Sequence, residues 1–318
     1  MKILPTKRDF TGKTLSAIFL ILTVCILSHS SLSLSYASLG LELWFRKMVP
    51  ALLPFMILSG IMIRLKLTEK MAGVLYPVAG PVYRVRKNVV YCMALGFLCG
   101  FPMGARVTAD LYEREMLTRR EAEYLLAFCN NIGPVYFCSF VLPLLGRRLV
   151  LPYLFGMYGI PLLYGLFLRF TAFRTLPEER TISSELCMTA APPKPSLLTA
   201  VNESVQASLH SILLLGGYMI LFNLLNLPFH ILLGREPALL SPVLEITGGL
   251  SMLGSGLPLY SLLALSFGGL SCIAQTYSCI SATDLALGGY IRHKVVLTLL
   301  NGFFYLCWFL FSPASFLL

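Results

Sequence analysis

"GFLCGFPMGA", residues 96–105, sits inside a long apolar run and puts Gly100, Pro102 and Gly104 where a membrane helix would have to continue. In hydrocarbon every backbone N–H and C=O needs a partner within the protein. A Gly/Pro interruption leaves several of these groups bare, so it persists only where protein or a wet cavity receives them. The surroundings settle the solvent. Of the 318 residues, 57% are hydrophobic and only 13% are charged, about half the charged share of soluble domains. Runs such as "LVLPYLFGMYGIPLLYGLFL" (149–168), "SILLLGGYMILFNLLNL" (211–227) and "VVLTLLNGFFYLCWFLF" (295–311) have the length of a bilayer crossing. The chain reads as an all-α, polytopic membrane protein. It lacks the period-2 segments of a barrel.

The net charge of +10 gathers at the edges of the apolar runs, in "MKILPTKRDF", "RLKLTEK", "YRVRKN" and "YIRHK". This pattern sets topology and attracts anionic head groups, and it does not point to nucleic acid. The nine cysteines form no CxxC pair, and the four histidines, far apart, form no HExxH. There is no P-loop and no GxGxxG after a strand. The expectation is a chain with no catalytic residues, no metal and no cofactor, and therefore not an enzyme. A basic N-terminus, a short apolar core and "SYAS" at 35–38 resemble a signal peptide. An uncleaved first span orients the later ones equally well.

Along the chain, spans are expected at about 14–34, 48–64, 149–170 and 294–312, and an amphipathic helix, "SLLTAVNESVQASLHSI" (196–212), is expected to lead into a further span that ends at about 226. An amphipathic piece, "LGLELWFRK", precedes the second span, and 65–88 reads as interfacial. "YEREMLTRREAE" (112–123) reads as a water-exposed segment, and "NLPFH" as a turn. Residues 172–195 form a polar linker between an N-terminal half (1–171) and a C-terminal half (196–318). Each half carries an interrupted apolar region, at about 89–146 and about 238–312.

Laying "GFPMGAR" (100–106) over "GLSCIAQ" (269–275) aligns Gly with Gly, Ala105 with Ala274 and Arg106 with Gln275. Asn130 and Asn301 follow at similar distances. This reads as an internal repeat with a broken or re-entrant helix pair in each half. Matched breaks of this kind mark the solute site of secondary transporters, because helix ends and free amides converge there. Gly100 and Gly104 equally suit a close helix crossing.

The candidate solute-binding residues are Gly100, Pro102, Arg106, Asn130, Asn131, Ser266, Gly269, Ser271 and Gln275. Glu245, an acid inside an apolar run, is the candidate ion-coupling residue for a proton or sodium, since a carboxylate at membrane depth is costly unless it is paired or wet. Each has a structural alternative. Asn130 and Asn131 can cap a helix, the serines can bond between helices, Glu245 can sit at an interfacial helix end, and Arg106 can pair with Asp110 one turn on.

"LGFLCGFPMGARVTADL", "EAEYLLAFCNNIGPVYF", "LEITGGL" and "LSFGGLSCIAQTYSCIS" resemble the signature blocks of sporulation integral membrane proteins of the YlbJ type. That resemblance implies two nucleoside-recognition, or Gate, domains, akin to parts of concentrative nucleoside transporters and of ferrous-iron transport protein B. It also implies a role in spore maturation in the cell membrane of an endospore-forming bacterium. Gly248 and Ile273 depart from the family pattern, which more often has an asparagine and a histidine there.

The expected function is movement or gating of a small polar solute by alternating access. The rival is a non-transporting membrane assembly factor for the spore cortex or envelope. The expected partners are the lipid bilayer and the solute, with no nucleic acid.

Overall fold

The computed structural model describes residues 7–65, 67–176 and 196–313, so most of the expected 172–195 linker and the first six residues of the basic tail lie outside the described residues. Among the described residues there is helix and no strand. The chain is a multi-pass α-helical membrane protein: five helices are long and apolar enough to cross a bilayer, and three shorter apolar helices accompany them.

Helix α1 (Lys7–Ser28) turns at His29 into α2 (Ser30–Arg64). The run expected as one span over 14–34 is therefore split between two helices. "LGLELWFRK" is no separate piece, because α2 passes through it by way of a π-helical turn at Trp44–Met48. Then follow α3 (Thr68–Tyr83), α4 (Lys87–Cys99), α5 (Met103–Glu113), α6 (Arg119–Phe128), α7 (Pro134–Leu145) and α8 (Arg147–Phe170).

The second half holds α9 (Leu197–Leu233, kinked at Leu225), α10 (Ser241–Leu244), α11 (Ile246–Leu253), α12 (Pro258–Phe267), α13 (Gly269–Ile280) and α14 (Leu287–Phe311). "NLPFH" is helical, not a turn. Its proline sits in the first turn of Asn226–Leu233, where a missing N–H breaks no helical bond.

α9 runs antiparallel to α2. Glu203 near its start pairs with Arg64 at the end of α2 (3.0 Å), and Met219 lies against Gly40 near the start of α2. Between them, the Trp44 indole donates to the Ile212 carbonyl at 2.8 Å.

One end of the molecule is knitted together by charge. Arg119 pairs with Asp284 at 3.2 Å, and Tyr112 donates to the same carboxylate at 2.7 Å. Arg169, 3% exposed, donates to the carbonyls of Arg84, Phe173, Arg174 and Leu176, groups freed where α3 and α8 end. Glu121 was expected at the water surface, yet it is 1% exposed. It forms a bidentate pair with Arg86 and closes a capping box with Thr118. Burial follows from that pairing, since a carboxylate leaves water only when its oxygens find donors. Thr118→Ala removes the hydroxyl half of this cap and is expected to cost about 1 kcal/mol. A melting curve of the purified chain measures it, and an unchanged midpoint would show that the box adds nothing.

The interruptions are where the halves acquire their shape. Gly100 ends α4 with φ +77°, and the Phe101–Pro102 peptide bond is cis. The Phe101 N–H donates to the Asn131 carbonyl at 2.7 Å, so the first break is hydrogen-bonded to the second, Cys129–Gly133, between α6 and α7. Gly96, Gly100 and Gly104, one helical turn apart, form the floor on which that second break lies. A Cβ at Gly96 would come within 3.1 Å of Cys129 Cβ, and one at Gly104 within 3.2 Å of Asn130 Cα. The small-residue stripe thus seats a helix against an unwound segment.

The C-terminal part of the chain also has two interruptions. Glu245 is extended (φ −138°, ψ 118°) between α10 and α11. Gly268 and Gly269 break α12 from α13 with φ +81° and +80°, and a Cβ on Gly269 would sit 3.1 Å from the Pro242 carbonyl. The two breaks of this half also touch.

Candidate functional site

Segments 100–106 and 269–275 lie side by side. A Cβ at Gly268 would meet the Phe101 ring at 3.5 Å, and α13 packs along α5. Two cavities flank this contact. The larger is a cleft of about 380 Å³ between α5, α9 and α13, with Pro102, Arg106, Asp110, His210, Tyr218 and Gln275 in its walls. The smaller, about 20 Å³, is lined by Phe101, Gly133, Tyr136, Glu245, Thr247 and Gln275, among others. It has room for about one water molecule. Gln275 and Leu215 belong to both walls and stand between the two spaces.

Glu245 is 1% exposed. Its Oε1 accepts from the Thr247 N–H (3.1 Å), and its Oε2 accepts from the Gly248 N–H (2.6 Å) and from Asn223 Nδ2 (3.2 Å). The extended residue before a helix places its carboxylate over the first free N–H groups of α11, where the helix dipole is positive. This cap is fully buried. Tyr136, on α7, donates to Thr247 Oγ1 at 3.2 Å and ties the first half to this cap. Gly248 has no room for a side chain, since a Cβ there would overlap the Asn223 amide.

The other candidates divide by place. Pro102, Arg106 and Gln275 face the larger cleft, where Arg106 stands 3.8 Å from Asp110. Gln275 Nε2 donates to Ser271 Oγ at 3.0 Å, which fixes the amide from one turn back. Ser266 bonds the Leu262 carbonyl of its own helix at 3.2 Å. Gly100 and Gly269 supply backbone shape and close approach. Asn131 Nδ2 caps the end of α6 through the Phe128 carbonyl at 2.5 Å. Asn130 Nδ2 donates to Thr276 Oγ1 (2.8 Å) and Tyr290 Oη (3.3 Å), joining the second break to α13 and α14.

Neither cavity takes its walls from Gly100, Asn130, Asn131, Ser266, Gly269 or Ser271. Sequence reasoning passed over Asn223, Tyr136, Tyr290 and Lys294. Two of these left a signal, an amide inside "LFNLLNL" and a lysine at the inner edge of "YIRHK".

With this geometry in view, the chain compares as follows. It is similar to the "Sporulation integral membrane protein YlbJ" of Bacillus subtilis (strain 168), at 34% identity over 122 residues. The match takes in 38% of this chain and 30% of that relative, so it spans less than a third of the relative's length. No family model matches the chain. No solved structure matches it.

Proposed function

We propose that this chain moves or gates a small polar solute across the membrane, with the larger cleft as the way in and Gln275 as the constriction. One observation carries the reading. A cleft of about 380 Å³ with charged and amide walls is separated by Gln275 and Leu215 from a pocket of about 20 Å³ lined by a buried carboxylate, and both spaces lie against broken helices. Irregular backbone at membrane depth is tolerated where it lines such a path.

The repeat is part of this proposal. The units Lys87–Leu145 and Ser241–Ile280 share the order helix, break, helix, turn, helix, break, helix. By chain order the Gly100–Pro102 break answers to Glu245, and Cys129–Gly133 answers to Gly268–Gly269, a register different from the one that lays 100–106 over 269–275. On this reading the nucleoside-recognition domains are these two units, and one rocks against the other. The basic end, with Arg64, Arg86, Arg119 and Arg169, would face the cytoplasm under the positive-inside rule. Of the two coupling ions, the proton is the one a single carboxylate binds without further ligands. The three N–H donors favour the ionised form, so taking up a proton would have to loosen one of these bonds. The sporulation setting is supported by the similarity to the Bacillus subtilis protein.

The test is uptake into proteoliposomes across a panel of nucleosides, amino acids and ions. At least one solute is expected to enter, Gln275→Leu to abolish its entry, and Thr118→Ala to leave it unchanged. Absence of flux for every solute would favour the assembly-factor role.

A further inference from the structure

Lys294 lies in the middle of the packed interface between α14 and α6. It is 3% exposed. Its Nζ donates to the Asn130 carbonyl at 3.3 Å. No ion pair among the described residues includes it. An ammonium buried without a carboxylate is costly, and within a membrane it marks a site by default. The surroundings explain what compensates it.

Asn130 follows the last turn of α6, where the helix dipole is negative and the final carbonyls lack partners. The same residue carries Oδ1, a buried acceptor with no hydrogen-bond partner in the structure. Thr276 Oγ1 and Tyr290 Oη approach the Asn130 amide from α13 and α14. Carbonyl, amide and hydroxyl oxygens at the negative end of a broken helix are the donor set that holds a monovalent cation in membrane proteins.

We propose that the end of α6 is a monovalent-cation site which this chain fills with its own Lys294 ammonium. The lysine is a tethered ion. It clamps the unwound 129–133 segment to α14 and makes the fold indifferent to sodium at this point. Cutting the side chain back vacates the position, and a free monocation of ammonium type then enters it. The inference goes beyond solute movement and stands whether or not a solute crosses, because it is read from stability and not from flux.

The experiment uses the full chain purified in detergent, with thermal melts at fixed ionic strength. Choline chloride is replaced stepwise by sodium, potassium or methylammonium chloride. The wild type is expected to melt at one temperature in all four salts. Lys294→Ala is expected to melt several degrees lower in choline and to regain at least half of that loss, saturably, in methylammonium. Lys294→Met keeps the stem and not the charge, and is expected to stay destabilised in every salt. Thr118→Ala, weakened elsewhere, is expected to ignore methylammonium.

Several outcomes overturn the proposal: a saturable sodium or methylammonium shift in the wild type, Lys294→Met as stable as the wild type, Lys294→Ala without a cation response, or an equal response from Thr118→Ala. If Lys294→Ala yields folded protein only when prepared in methylammonium, that supports the site. If it yields none in any salt, the Lys294→Met melt decides.

Discussion

Gly100→Ala is expected to lower the stability of the chain by about 4 kcal/mol, combining a cost of about 1 kcal/mol for a side chain at positive φ with about 3 for forced overpacking. Its φ of +77° lies in the region that L side chains avoid. The new methyl would stand 2.7 Å from Gly133 Cα and closer still to the Gly133 nitrogen. Both obstacles are backbone, so no rotamer change relieves them. Gly133 in turn is held by the helix it opens and by its neighbour Asn131, whose carbonyl receives the Phe101 N–H. The methyl must therefore push the two breaks of the first half apart.

Gly146→Ala is the control, because it has a similar φ of +85° and open space around it, and about 1 kcal/mol is expected there. By the usual scaling of about 2–4 °C per kcal/mol, Gly100→Ala should melt about 8–16 °C below the wild type and Gly146→Ala only about 2–4 °C below. Equal, small shifts for the two variants would mean that the crossing of the breaks does not hold this half together. Any flux measured in proteoliposomes should fall with Gly100→Ala, since Phe101 and Pro102 line the two cavities.

The same residues show what the sequence made legible. Gly100, Pro102, Gly133, Pro134, Gly268 and Gly269 announce their breaks because glycine and proline act locally, on φ and on the N–H. The apolar runs announce their helices for a similarly local reason. The bend at Leu225 falls within one turn of Pro228 and so carries a local mark too. The turn at His29 has no glycine or proline beside it; there α1 packs against Asn226–Leu233, and packing is not written in any short window.

Partners are hidden for the same reason. Arg292 is exposed and Lys294 is buried, though both belong to one basic cluster. Helical phase separates them, and phase has meaning only once the neighbouring helix is known. Asn130, Asn131 and Ser266 are visible as polar groups near breaks. The sequence left open whether they face a solute or close a helix, and the structure gives each a bond to protein. Glu121 misleads in the opposite sense. It sits in a charged stretch that reads as solvated, yet Arg86, thirty-five positions earlier, supplies the bidentate partner that lets it be buried.

Glu245 is where capping and coupling can be separated. Glu245→Ala strips the Thr247 and Gly248 N–H groups of their acceptor inside the protein. Each buried orphan costs about 1–3 kcal/mol, so a loss of about 4 kcal/mol is expected before any effect of the cavity. Glu245→Gln keeps one acceptor oxygen and turns an NH₂ toward a backbone N–H or the Asn223 amide. One hydrogen bond becomes a donor–donor contact, and about 2 kcal/mol is expected to be lost.

If the carboxylate only caps α11, a solute that crosses the wild type should cross Glu245→Gln at the same rate, with the melting point as the sole casualty. If it also carries a proton, Glu245→Gln should still exchange labelled solute between equal concentrations on the two sides. It should no longer accumulate solute against a gradient when a pH difference is imposed. Accumulation preserved at the wild-type level in Glu245→Gln would leave the carboxylate with its structural role alone, and the proton would then have to be sought elsewhere along the path.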